Sequence, residues 1–547
     1  VPLRNTTVFK LSPHGLSDTL DGTNVFRGAM QMLQNLIPDP STSNLWQCRP
    51  ASISKTTFGG FTTPGFISVL EVFGDFAIGM VASGRNAGHD EPFFYNLKTA
   101  AFVAVSGVTG ANTPISPTTT GDWTPPCMAL VGTKVILTHP GYNGAGGVYF
   151  GVMDISNPAA PAWSGNNLTG AVTFTTPPSW VAQFNQRAYF LVNPTTGQPS
   201  AVFSDSLNPT VVTNANQVLT FGDNETLTVA AGLALFNQLG GIIQSLMVFK
   251  STANIFQVTG DPTTTNLTIN SLNVATGTKA PNSVTNTPKG LMFVAPDGLR
   301  LIDFNARVSD PIGVDGSGVN VPFIYAVAPS RIQASCNTNV MRISVQNGLA
   351  TGSPNQEYWW DVSRSKWSGP HTFPASMIAF WNNTFIMTPI GVNGSLWQSD
   401  VVQSSTSTFV ENGVQMTWQW QSSLLPEFDD DMAENCTVET TLKMALSSTV
   451  SNIQVFAQNQ NGTILDSVAI APPGAPTIWG AFTWGAALWQ GTPSALYPQQ
   501  LAWHNPIVFQ RLSIQAQGNS ASGIKIGDMH VRYQKLGYLG ASPTVAA

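Results

Sequence analysis

From about residue 60 to about residue 400 the chain repeats one pattern: a short apolar or alternating run, a tight polar turn, a second such run, then a loop rich in Gly, Pro, Thr and Asn. Alternation with period two, broken by two-residue turns, predicts consecutive β-hairpins. The first clear pair is Phe66 to Phe73 and Phe76 to Val81 around Gly74-Asp75. Met128 to Val131 with Lys134 to Leu137 follows, then Trp180 to Phe184 with Arg187 to Val192 around Asn185-Gln186. The theme returns at Leu246 to Phe249 with Ile255 to Val258, and at Gly290 to Val294 with Gly298 to Ile302. It ends in Glu357 to Val362 with Lys366 to Ser368, and in Met377 to Trp381 with Thr384 to Met387 around Asn382-Asn383.

The turns recur at roughly 35 to 65 residues, the spacing at which each repeat is one four-stranded propeller blade. An all-β propeller over residues 61–405 is therefore the leading architecture, with a pair of β-sandwiches as the competing one. Helical periodicity is scarce: Val25, Met32, Leu33 and Leu36 share a face over Asn24 to Leu36, and Pro38 supplies a stop. Residues 1–60 thus read as an N-terminal arm with one short helix. Beyond about 405 the texture changes. Met416 to Gln421 alternates strictly, Thr437 to Leu446 and Asn452 to Ala457 are strand-like, and Phe509 to Ala516 faces Gly523 to Tyr533 across a Gly-Asn-Ser turn. Residues 406–547 read as a C-terminal antiparallel β module, from which a strand can also close the propeller against an N-terminal one.

Composition adds a second observation. Charged residues are 10% of the chain, against about 25% in an ordinary soluble domain. A surface so poor in charge suits a subunit covered by neighbours, the alternative being a secreted protein hydrated by Thr and Asn. The net charge of −6 and the lack of a dense Lys/Arg run disfavour tight, sequence-specific DNA binding. Cys48, Cys127, Cys336 and Cys436 lie far apart and read as four buried thiols, which mildly favours a reducing site of synthesis. No apolar leader follows Val1-Pro2-Leu3-Arg4. Leu227 to Phe249 carries no charge, but Asn237, Gln238, Gly240, Gly241 and Gln244 interrupt it, so two shorter buried elements fit better than a membrane span.

Chemistry-bearing motifs are sparse. Asp-box turns and gathered carboxylates, the marks of a hydrolytic propeller, are missing from the sequence, and so are phosphate loops and nucleotide fingerprints. His89-Asp90-Glu91 is the densest ligand cluster, but neighbours in one loop do not all aim at one ion. The one charge run, Glu427, Asp429, Asp430, Asp431 and Glu434, reads as an acidic loop facing a lumen or a partner, with Ca²⁺ binding as the lesser reading because the alternating ligand spacing is missing. Trp359, Trp360, Trp418, Trp420, Trp479, Trp484, Trp489 and Trp503 offer a glycan-stacking surface or, by strand alternation, core. No catalytic residue, metal site or cofactor is expected.

Gly15-Leu16-Ser17-Asp18-Thr19-Leu20-Asp21-Gly22-Thr23-Asn24, then Gly28-Ala29-Met30, Leu33 to Ser41 and Leu45 to Ala51, resembles the opening of tail nozzle and DNA-stabilising proteins of short-tailed bacteriophages. Leu246 to Asp261 and Gly290 to Leu299 are similar to blade strands of that family. The resemblance touches about the first 300 residues and leaves the C-terminal module unmatched. It implies a six-bladed propeller assembled as a homohexameric ring in the virion tail. The portal and adaptor lie above such a ring, and needle or fibre proteins alongside or below it. Genomic DNA is retained in the lumen and later conducted through it. Synthesis in the bacterial host cytoplasm and no stable membrane insertion go with that reading. A host-glycan-binding or glycan-cleaving propeller, and an adaptor, fibre or capsid decoration protein, are the alternatives.

Overall fold

The computed structural model describes residues 6–11, 15–18, 29–42, 45–58, 65–82, 88–116, 124–236, 241–261, 266–313, 318–346, 355–392, 394–402, 404, 407–425, 433–446, 453–470, 497–519 and 524–538. These form a β-propeller joined to a β module. Six sheets are unbroken stretches of chain, each running outward from its first strand. They start at Ile67–Phe73, Cys127–Val131, Trp180–Phe184, Leu227–Phe236, Thr285–Thr287 and Gln333–Cys336. Five of these have four strands of their own; the fifth blade has three, continued by bridges from Leu299 to Ile312 and Ile302 to Val308. Thus six blades are each continuous in sequence. A composite sheet, Ala375–Trp381, Thr384–Pro389 and Ser395–Asp400 with Ile53–Thr57 as its outer strand, then closes the ring against the first blade. The closing strand comes from the N-terminal segment, not from the C-terminal module.

The turns explain why these hairpins form. Asn185 and Gln186 (φ +47° and +60°) and Asn382 and Asn383 (φ +43° and +65°) make two-residue loops between Phe184 and Arg187 and between Trp381 and Thr384. Positive φ at both positions matches the twist of the flanking strands, and Asn tolerates it. Replacing Asn383 with Val, whose branched Cβ resists that region, should cost about 1–2 kcal/mol, while Asn383→Gly should be close to neutral; urea unfolding of both variants tests this.

Between blades the alternating side chains meet. Val69, Ile78, Met80 and Phe94 of the first blade pack on Met128, Val135 and Leu137 of the second, and Leu70, Ala77 and Phe93 pack on Met377, Ala379 and Ile386 of the closing sheet. One continuous core runs through the second to fifth blades. Leu227 to Phe249 contributes two paired strands, Leu227–Phe236 and Ile242–Lys250, as its glycines and amides suggest. No helix among the described residues is long and apolar enough to cross a membrane.

Two expectations are corrected. Of the predicted helix, Asn24 to Gly28 lies outside the described residues, and Ala29–Gln34 is a strand. Tertiary pairing overrides the weak helical periodicity: Met30 and Leu33 are fully buried where the strand lies against Thr417–Ser422. Leu512–Asn519 and Ile524–Tyr538 also do not pair with each other. The former joins Thr417–Ser422 and Ile453–Asn459, whereas the latter joins Ala433–Leu446 and Thr6–Leu11, so the chain crosses between two sheets. Both strands have one apolar face, and the two faces meet: Trp420, Ile514 and Ala516 share a core with Leu442, Ile526 and Met529.

The N-terminal segment is therefore shared among three sheets. Thr6–Leu11 lies in the module, Ile53–Thr57 closes the ring, and Ala29–Gln34 carries the sixth blade into the module as one ten-stranded sheet.

Candidate functional site

Little of the predicted site is brought together. Glu427, Asp429, Asp430 and Asp431 lie outside the described residues, and Glu434 is half-buried in Ala433–Leu446 opposite Gly537. Trp479, Trp484 and Trp489 also lie outside them. Trp359, Trp360, Trp418 and Trp420 are buried core, as strand alternation suggests, and Trp503 gives its Nε1–H to Thr440 Oγ1 (3.2 Å). Cys48 and Cys127 are buried free thiols; Cys336 and Cys436 are only half-buried, because their strands place them at partly open positions.

The His89-Asp90-Glu91 cluster is divided. His89 turns to the Thr113 carbonyl, while Asp90 is buried between the first two blades. Asp90 accepts from Ser68 Oγ (2.6 Å), Ser116 Oγ (2.6 Å) and His139 Nε2 (3.1 Å). Gly141 N–H donates to His139 Nδ1 (2.9 Å), which leaves Nε2 to carry the proton. Burial opposes the Asp90 charge, but His139 and the two hydroxyls outweigh it and hold the carboxyl below its usual range. Both imidazole nitrogens are occupied, so this is an inter-blade tie. No group of three or more His, Cys, Asp or Glu among the described residues is placed to hold a metal ion.

The propeller channel has a distinct character. The innermost strands lie side by side around it, the fourth and fifth blades being linked by Asn286 Nδ2 to the Gly232 carbonyl (3.2 Å). Across the seven innermost strands only Glu71 carries a charge. It is exposed in mid-strand, yet the surrounding protein desolvates its carboxyl and pushes it up to about 7. Sequence reasoning passed over Glu71, although a lone Glu in an otherwise apolar strand is the signal that could have found it.

At one mouth, a cavity of about 380 Å³ is framed by residues that enter successive innermost strands, including Pro125, Ser179, Leu227 and Ser330. Asn193 orders this rim by donating to Ser179 Oγ (2.9 Å) and the Leu227 carbonyl (2.8 Å). Glu225 is held by Ser251 and Thr252, and Asp223 by Lys250. The rim thus offers hydroxyl and amide groups and one exposed cation, Lys279, while Asp223 and Glu225 beside it are already engaged.

Because the folded Glu71 carboxyl titrates above its ordinary 4.5, the folded chain keeps a proton that the unfolded chain has released. The contribution of Glu71 to stability therefore falls as pH rises from 4.5 to about 7. Glu71→Gln should remove this decline, so that unfolding midpoints of the two proteins agree in acid and separate toward neutrality, with the variant the more stable.

A second constellation joins the propeller to the module, and sequence reasoning missed it. Arg49 donates to both oxygens of Glu411 (2.7 Å each) and to the Thr372 carbonyl (2.7 Å), and Ser52 N–H also donates to Glu411 (2.8 Å). Arg342 donates through Nε to Glu357 Oε1 (2.7 Å) and lies over the Trp359 and Phe385 rings. Trp359 Nε1 and Ala375 N–H complete the Glu357 carboxylate (2.6 and 2.9 Å). All four charged side chains are buried. Burial works against the Arg49 charge, but Glu411 outweighs it and holds the guanidinium above its ordinary value. At Arg342 burial wins and lowers it, despite Glu357.

No protein-family model matches the chain, and no curated protein matches it. Among solved structures, puromycin hydrolase is similar at 10% identity and a TM-score of 0.36, over 68% of this chain and 62% of that one, less than two-thirds of the hydrolase's own length. The β-propeller domain of the Trilobed protease from Pyrococcus furiosus is similar at 9% identity and a TM-score of 0.33, over 62% of this chain and 96% of that one. A glycoside hydrolase family 43 arabinoxylan arabinofuranohydrolase from Bacillus subtilis is similar at 10% identity and a TM-score of 0.29, over 89% of this chain and 99% of that one. Likenesses at these scores carry no argument about activity.

Proposed function

We propose that this chain is a non-enzymatic structural subunit of a short-tailed phage virion, forming the tail nozzle as a homohexameric ring. The adaptor and portal stand above it, and needle or fibre proteins alongside or below. Genomic DNA is retained, and then conducted, along the axis shared by the subunits; the channel inside each propeller is a separate passage. The subunit is made in the host cytoplasm and carried in the virion without stable membrane insertion.

The observation that carries this reading is the surface of the isolated subunit. Large apolar side chains stand open on a charge-poor exterior, among them Val327 at 76%, Tyr325 at 71%, Val414 at 69% and Ile242 at 67% exposure. Ile242 is part of a contiguous group, lying opposite Phe236 and beside Ile243, both exposed, and contiguous apolar patches mark surfaces that partners cover. The segments that resemble the nozzle family also take structural roles: Asp18 accepts from Asn320 and Val321 N–H (2.7 and 2.6 Å), and Trp46, Cys48 and Arg49 are buried. Particles assembled without this subunit should package DNA and then lose it before host contact, which nuclease sensitivity of the packaged genome measures. Particles that retain and eject DNA normally without the chain would remove the proposal.

A further inference from the structure

We propose that the junction between the sixth blade and the C-terminal module is a proton-operated latch, in which protonation of His371 releases the strand Ala29–Gln34 and the module strand behind it. His371 is 4% exposed at the end of Lys366–His371. Its Nδ1 accepts the Asn35 N–H (3.0 Å) and therefore bears no proton; Nε2 lies 3.1 Å from Ser368 Oγ and carries one. The imidazole is thus held in one neutral tautomer.

Asn35 is the pivot of this arrangement. Its Oδ1 accepts from Arg49 Nε (2.9 Å) and Thr372 N–H (3.2 Å), while its Nδ2 donates to Thr372 Oγ1 (2.7 Å) and to the carbonyl of Thr417 (2.6 Å), the first residue of Thr417–Ser422. One side chain therefore ties the blade, the N-terminal segment and the module. The strand pairing is uneven: Ala29–Gln34 meets the module strand at four positions but the blade strand only at Leu33–Gly369. The blade side of the seam is short of ladder bonds, and the His371–Asn35 contact reinforces it.

A proton on Nδ1 would set two N–H groups against each other and add a positive charge near Arg49 and Arg342. Neither carboxylate is free to answer it, since Glu411 is taken by Arg49 and Ser52, and Glu357 by Arg342, Trp359 and Ala375. Burial first, then the charges of Arg49 and Arg342, hold the His371 imidazole well below its ordinary 6.5. The unfolded or opened seam takes up a proton that the closed seam refuses, so closure is strongest above 6.5 and weakens as pH falls.

Hydrogen exchange of the full chain, corrected for the intrinsic pH dependence of exchange, tests the latch. Opening at Leu33 to Asn35 and at Gly369 to Thr372 should increase by up to about tenfold per pH unit below about 6.5, while the third blade stays protected. His371→Gln should abolish the increase. A seam whose opening is independent of pH, or equally pH-dependent in the variant, would overturn the proposal. If the variant fails to fold, NMR of the His371 ring in the wild-type chain decides. Ring protonation that coincides with seam opening, ahead of the third blade, supports the latch, whereas a ring neutral until the whole chain unfolds overturns it.

Discussion

Glu411→Gln should be among the most damaging single substitutions in this chain. It keeps the shape of the side chain but leaves the Arg49 guanidinium buried without its counter-charge, and it weakens the acceptor of the Ser52 N–H. Removing one partner of a buried pair typically costs about 3–5 kcal/mol, because the remaining charge has lost water without compensation. The paired replacement Arg49→Met with Glu411→Leu should restore much of that loss, since neither charge then has to be desolvated. Urea unfolding followed by tryptophan fluorescence should therefore rank wild type and the double variant close together, with Glu411→Gln well below both. Equal losses in the single and double variants would show that the geometry of the pair, not its charge, holds the junction.

Trp420→Ala should have a comparable effect for a different reason. Trp420 is fully buried between the sheets of the module, packed in the core with Ile514, Leu442 and Met529. Truncation removes a large apolar surface and leaves a cavity that paired strands on both sides cannot collapse, at a cost of about 3–5 kcal/mol. The module should lose its cooperative unfolding first, with the propeller following at higher denaturant. By contrast, Gln419→Ala on the same strand should change stability little, because alternation turns its side chain to the other face. Far-UV and near-UV circular dichroism through a urea titration separates these outcomes.

The propeller hairpins were legible because their information is local. A run such as Met377 to Trp381, two asparagines and Thr384 to Met387 contains both strands and the turn that pairs them. What was not legible depends on distant partners. Ala29–Gln34 follows a helical spacing on paper, and pairing with distant segments, chiefly Thr417–Ser422 almost 400 residues away, makes it a strand. Ile53–Thr57 is a short polar segment with little to announce it as the outer strand of a closing sheet. The chain crossing after Asn519 defeated a hairpin reading, since two alternating strands around a Gly-Asn-Ser turn look the same whether they pair in one sheet or cross between two. For the candidate sites the contrast is sharper. Glu71 stands out in its own strand, whereas Arg49 and Glu411, separated by 362 positions, give no sign of each other. Individually they are ordinary charged residues; together with Asn35 and His371 they fasten the propeller to the module.

The nozzle reading is tested most directly by electron microscopy of the purified chain, combined with mass determination in solution. A six-fold ring around an open axial channel, with Tyr325, Val327, Ile242 or Val414 in subunit contacts, is the predicted result. A monodisperse monomer that forms no ring at high concentration, from a chain absent from phage tails, would contradict it.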